Sequence, residues 1–170
     1  MGAMRIRVAL VVLGMSLLAT SVVQARAGQT VTIQLTSWIT ARTDHDIQPK
    51  GKLNKGDYVA FRDLLVNRKR QFGKKAGKPV AYDVGTMTST GGSKTKIEVK
   101  AIFPKIGTIT YAGPFVTRKD GTTVIPITGG TGAFKGATGT VVIGAGQSKS
   151  PNTYIVTVPH AIDLNTTGVA

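Results

Sequence analysis

Along almost the whole chain after Gly28, apolar and polar residues alternate with a period of two, and no segment carries the stripe of an amphipathic helix. Val31, Ile33 and Leu35 alternate with Thr32, Gln34 and Thr36. Ile97, Val99, Ala101 and Phe103 alternate with Lys96, Glu98, Lys100 and Ile102. Tyr154, Val156 and Val158 alternate with Thr153, Ile155 and Thr157, and Val59, Phe61 and Asp63 share a face opposite Ala60 and Arg62. Turn-forming stretches separate the runs: Lys55-Gly56-Asp57, Gly77-Lys78-Pro79, Gly91-Gly92-Ser93, Lys119-Asp120-Gly121 and Ser150-Pro151-Asn152. Successive side chains on a strand point to opposite faces. Many short strands without helices therefore predict an all-β fold, an antiparallel sandwich or barrel.

The stretch ITGGTGAFKGATGTVVIG, from Ile127 to Gly144, joins two apolar β-branched runs through a glycine-rich corner. Gly129, Gly130, Gly132, Gly136 and Gly139 fall within eleven residues. Glycines this dense supply positive φ or close backbone approach, and Gly130 and Gly132 are expected to hold backbone angles closed to other residues. A strand precedes Gly129-Gly130-Thr131-Gly132 but no helix follows it, so a dinucleotide-binding loop is excluded. The pattern GGTG-x-F-x-x-A-x-G resembles the signature near the end of dirigent proteins and of their relatives the allene oxide cyclases. Gly107-Thr-Ile-Thr-Tyr-Ala-Gly-Pro114 resembles the strand those families place before it, and Gly56-Asp-Tyr-Val-Ala-Phe-Arg-Asp63 resembles their G-D-x-x-x-F strand. The resemblance spans roughly Gly56 to Pro159. It implies an eight-stranded antiparallel β-barrel of the allene oxide cyclase/dirigent, calycin-like type, around a cavity able to enclose one small ligand.

The N-terminus reads as a processing segment. Arg5 and Arg7 precede an apolar run from Val8 to Val23, and Ala25-Arg26-Ala27 gives a small-x-small cleavage site. Residues 1–27 are expected to be a signal peptide and 28–170 a single β-barrel domain, secreted or periplasmic. The run is a little short for a spanning helix of about 20 apolar residues, and no other run matches its length, so no membrane span is expected in the mature form. There is no cysteine, so an exported domain must be stable from its own core. The chain has 22 basic and 8 acidic residues; without Arg5, Arg7 and Arg26 the balance is 19 to 8, or +11. Six of the bases fall between Asn67 and Lys78. This run reads as a solvated hairpin loop, with an acidic cell-surface polymer as the partner it would suit. Nucleic acid is not expected, because Phe72 is the run's only aromatic.

Asp63 is the sharpest candidate for chemistry. It shares a strand face with Val59 and Phe61, and a carboxylate facing a barrel interior would be desolvated, with a raised pKa suited to acid or base work. Its place in the resembling strand also matches a polar residue that allene oxide cyclases use in their cavity. The alternative is a strand-end aspartate reaching water or a loop lysine. His45-Asp46-Ile47 resembles a tripeptide near the first strand of dirigent proteins, whose aspartate is thought to assist cyclisation; the resemblance makes Asp46 a second catalytic candidate. A polar turn is the other reading of Asp44-His45-Asp46, and a metal site lacks a fourth ligand at a recognisable spacing. Trp38, Phe61, Tyr82, Tyr111 and Phe115 are expected ligand-binding walls or, alternatively, plain core. Glu98, the only glutamate, sits between Lys96 and Lys100 and is expected outside as an ion pair. Allene oxide cyclases use a first-strand glutamate, and this first strand has none, so their plant reaction is not expected here. No Ser/His/Asp order and no carboxylates paired at a useful spacing are present.

These features predict an exported barrel that binds an apolar small-molecule ligand and steers its cyclisation, coupling or isomerisation by holding it in one conformation, without a cofactor. A homo-oligomer, dimer or trimer, is among the expected assemblies. The alternative is a non-catalytic exported binding or cell-surface protein on the same barrel.

Overall fold

A computed structural model describes residues 28–47, 49, 51, 53–146 and 148–165. The expected signal peptide and the last residues of the C-terminal segment lie outside the described residues. Eight strands follow one another: β1 (Gln29–His45), β2 (Tyr58–Asn67), β3 (Pro79–Gly91), β4 (Lys94–Phe103), β5 (Gly107–Pro114), β6 (Thr123–Gly132), β7 (Thr138–Ile143) and β8 (Lys149–Val158). Each pairs antiparallel with its sequence neighbours, and β8 returns to β1, closing the barrel. No helix is assigned among the described residues. The all-β, eight-stranded antiparallel barrel is thus the observed fold, and closure leaves no sheet edge exposed.

Antiparallel order sends the β2–β3, β4–β5 and β6–β7 connections to one end and the remaining loops to the other. At the first end Phe72, Phe103 and Phe134 are buried, with ring centroids 5.2 Å apart for Phe72–Phe103 and 5.1 Å for Phe103–Phe134. They close the barrel with Ile33, Leu35, Leu65 and Val158. The basic run forms the β2–β3 loop at this closed end. Its six cationic side chains are exposed, while Asn67, Gln71 and Phe72 are buried. The Gln71 side chain exchanges two hydrogen bonds with the Gln34 backbone, at 3.0 and 2.9 Å. Asn67 Nδ2 donates to the Gln71 carbonyl at 2.8 Å. The loop is a solvated hairpin, as its composition predicts, but an apolar plug pins it.

The glycine corner works by two means rather than one. Gly132 has φ of 60°, and a Cβ there would lie 2.2 Å from the Ile106 carbonyl oxygen. Gly130 lacks a positive φ; a Cβ would instead fall 2.4 Å from the Phe134 carbonyl oxygen and 2.6 Å from that of Thr108. Gly130 is therefore required by close approach and not by backbone angle, which corrects the expectation for it. The corner exists to turn Phe134 into the barrel. After β8 the chain runs on as neither strand nor free tail: Ile162 is buried, Leu164 packs on the core, and the Leu164 carbonyl accepts from Phe72 N–H.

Candidate functional site at the open end

Above the Phe plug the inward positions change character. Ser37 (β1), Asp63 (β2), Asp83 (β3) and Asn152 (β8) are all buried and form a polar arc across four neighbouring strands. Asp63 and Asp83 stand directly opposite each other in the β2–β3 ladder, which puts their side chains on one face. Ser37 Oγ donates to Asp63 Oδ2 at 2.5 Å. Tyr111 from β5 and Tyr154 from β8 both reach Asp83, their hydroxyls donating to Oδ2 at 3.0 and 3.4 Å. The two rings meet edge to face, 5.9 Å between centroids. Oδ1 of Asp63, of Asp83 and of Asn152 are buried without a hydrogen-bond partner.

Burial dominates the electrostatics. Desolvation pushes Asp83 from its ordinary 3.8 up to about 7; the Tyr111 hydroxyl opposes the shift and the Asp63 charge adds to it. Asp63 is raised as well, by desolvation first, against the hydrogen bond from Ser37. The same burial lifts both tyrosines well above their ordinary value, so they stay protonated as donors. Two adjacent carboxyls in one desolvated site resist ionising together, and Asp83 is the member pushed furthest toward its protonated form.

The arc forms one wall of a chamber of about 240 Å³ that opens at this end. Phe61, Met87, Ile97, Phe115 and Ile143 supply the apolar walls, with Tyr111 beside Asp83. An outer vestibule of about 330 Å³, lined by Asp44, His45, Asp46, Asp57 and Tyr58, shares Val59 and Met87 with the chamber. A β-bulge between Ile39 and Ala41 shifts the phase of β1, so that Arg42 pairs opposite inward Phe61 and Asp44 opposite Val59. Arg42 and Asp44 form an ion pair at 2.8 Å at the mouth.

Of the sequence candidates, Asp63, Phe61, Tyr111 and Phe115 line the inner chamber. Trp38 and Tyr82 do not, and this corrects their placement. Both fall on the outward phase of their strands, one position away from Ser37 and Asp83 respectively. Each packs under a cation on the outer wall, Lys149 Nζ 4.3 Å from the Trp38 centroid and the Arg62 guanidinium carbon 4.4 Å from that of Tyr82. Asp46 lies in the vestibule and not with Asp63; its Oδ2 accepts from Gly51 N–H at 3.0 Å, as a turn aspartate does. His45 stacks on Tyr58, 4.8 Å between centroids. Among the described residues no group of three His, Cys, Asp or Glu is placed to hold a metal ion. Glu98 is exposed and paired with Lys96 at 3.1 Å.

Sequence reasoning missed Ser37, Asp83, Tyr154 and Asn152, and its statement that no carboxylates are paired is overturned by Asp63 and Asp83. The available signal was the alternation of Ala81, Asp83 and Gly85 in β3, which places Asp83 on the face opposite Tyr82.

No family model matches the chain, and no curated protein sequence matches it either. Solved structures do. A pyocyanin demethylase is 22% identical with a TM-score of 0.61, over 74% of this chain and 99% of that one. A pterocarpan synthase dirigent protein is 17% identical at TM-score 0.58, over 79% and 86%. An exo-specific intermolecular Diels-Alderase is 12% identical at TM-score 0.58, over 77% and 98%. The chain has the closed eight-stranded barrel fold that dirigent proteins and Diels-Alderase barrels share.

Proposed function

We propose that the chain is an exported barrel that takes an apolar small organic molecule into its open-end chamber and steers its cyclisation, coupling or isomerisation. The observation that carries this reading is the Asp63–Asp83 pair, buried side by side in an otherwise largely apolar chamber, with both carboxyls raised by desolvation. The protonated member gives a proton to a ligand oxygen or carbon while the ionised member takes one elsewhere, so the ligand is rearranged with no net gain or loss of protons or electrons. The reading invokes no cofactor. Phe61, Ile97 and Phe115 hold the ligand in one folded conformation, which is catalysis by orientation. Tyr111 and Tyr154 keep Asp83 in place.

The neighbours' names support the reading at the level of chemistry, since a dirigent protein and a Diels-Alderase are built on this barrel. Export rests on the character of residues 1–27, and intact-mass analysis of the mature protein, with Gly28 first, tests it. A dimer or trimer would use the outer row of Trp38, Leu64, Tyr82 and Ile102, which are register partners across β1 to β4. An acidic cell-surface polymer would meet the exposed bases of the β2–β3 loop.

Ligand capture from native extract, read by mass spectrometry, tests the function. An apolar ligand retained by the wild-type barrel, whose conversion Asp63→Asn slows or whose product stereochemistry it alters, supports the reading. Capture with no conversion by either protein makes the barrel a non-catalytic binder. No captured ligand of this class contradicts the proposal.

A further inference from the structure

We infer that the inner chamber, taken as a ligand site on the reading above, selects a flat ring that carries a hydrogen-bond donor, O–H or N–H, and that Asn152 recognises this donor together with Asp63. The inference follows from what the polar arc has left to offer. Asp63, Asp83 and Asn152 are 9%, 1% and 3% exposed, and in each Oδ1 is buried without a partner. Buried polar atoms are nearly always hydrogen-bonded, and one left alone costs about 1–3 kcal/mol. The hydroxyl donors at this level are already committed: Ser37 to Asp63, Tyr111 and Tyr154 to Asp83. The unmatched atoms are therefore oxygens of three chamber-lining residues on β2, β3 and β8, to either side of Ser37, and that of Asn152 is an acceptor whichever aspartate holds a proton.

The flanking lining, Ile97 next to β3, Ile143 paired directly with Asn152, and Phe115, asks for apolar surface. A complementary ligand is thus a flat apolar body with a donor on one edge. An anion is disfavoured twice. It meets like charge at the aspartate pair, and the one cation lining the chamber, Arg42, is engaged by Asp44. Asn152 matters because it is the uncharged acceptor of the arc. It reads the donor whatever the protonation of the pair, and so acts as a specificity residue distinct from Asp63 and Asp83. A site built to hydrogen-bond a group discriminates strongly against the analogue that lacks it.

The test uses three probes of one shape on the purified barrel: naphthol, methoxynaphthalene and naphthoate, substituted at the same ring position, with affinities from calorimetry. The expected order is naphthol tightest, methoxynaphthalene weaker by about tenfold or more, and naphthoate weakest. Asn152→Leu is expected to shrink the naphthol preference to under about threefold, while Asn152→Ser, which keeps an acceptor and guards against a folding defect, retains part of it. Equal affinity of the wild type for naphthol and methoxynaphthalene, or naphthoate binding best, overturns the inference and leaves the chamber a ligand site. A preference untouched by Asn152→Leu removes Asn152 from the role. Binding of none of the three, with the barrel intact by circular dichroism, overturns the ligand-site reading itself.

Discussion

At the closed end of the barrel, inward positions of β1, β2 and β4 carry Leu35, Leu65 and Phe103, and two turns fold Phe72 and Phe134 in to meet them. Farther along β1 and β2, the same inward phase carries Ser37 and Asp63, and no aromatic folds fully over the top. Phe115, in the loop after β5, is only half-buried. One alternation thus builds two environments. The difference lies in what the connections carry: the β2–β3 and β6–β7 connections bury the rings of Phe72 and Phe134 at one end, while at the other the β5–β6 connection leaves Phe115 half-buried beside a hollow. The buried phenylalanine cluster lies at the closed end, and the desolvated aspartates lie at the open end, where burial raises them without an ion partner.

The strongest way to break this division is to cut a ring at each end. Phe134→Ala should cost about 3–5 kcal/mol, the usual range for a fully buried Phe. Phe115→Ala, half-buried beside the chamber, should cost roughly 1 kcal/mol. Urea denaturation of both measures the contrast, and equal losses would mean that the open end carries as much of the fold as the plug does.

Next in size is the pH dependence of the open end. Because Asp83 is raised from 3.8 to about 7 in the folded chain, the native state keeps a proton that the unfolded chain releases between those values. Stability should therefore fall as pH rises through that window, by on the order of 4 kcal/mol, and level off above it. Asp83→Asn, which keeps an acceptor for Tyr111, should flatten the profile and leave the barrel more stable than wild type at pH 8. A wild-type profile that rises between pH 4 and 7 would contradict the buried-acid account.

Gly132→Ala and Gly130→Ala should each cost about 1 kcal/mol or more, the first through backbone angle and contact, the second through contact alone. Unchanged melting temperatures for both would mean that the corner does not set Phe134. The smallest effect is expected outside the barrel wall. Trp38→Ala should cost under about 1 kcal/mol, the scale of an exposed cation–π contact, and leave probe binding in the chamber unchanged. A large loss of binding would place Trp38 back in the site.

The barrel itself was legible because alternation and turn residues act locally. Asp63 was legible for the same reason, since Val59 and Phe61 declare its face. Asp83 was not, because Asp63 and Asp83 become neighbours only through the β2–β3 register, which no single strand encodes. Tyr82 and Trp38 misled because aromatic bulk suggests a wall, whereas strand phase puts both outside, where a cation covers each ring. The inward turn of Arg42 and Asp44 was hidden by a bulge near Thr40 that no glycine or proline marks.

The central claim is that the open end holds a desolvated pair of carboxyls, both raised and electrostatically linked. Carbon-13 NMR of the aspartate side-chain carboxyls across a pH titration tests it most directly. The account predicts an Asp83 midpoint near about 7, a raised Asp63, and an Asp83 midpoint that falls in Asp63→Asn, where the neighbouring charge is gone. Every aspartate titrating at or below the ordinary 3.8, with Asp83 indifferent to Asp63→Asn, would contradict it.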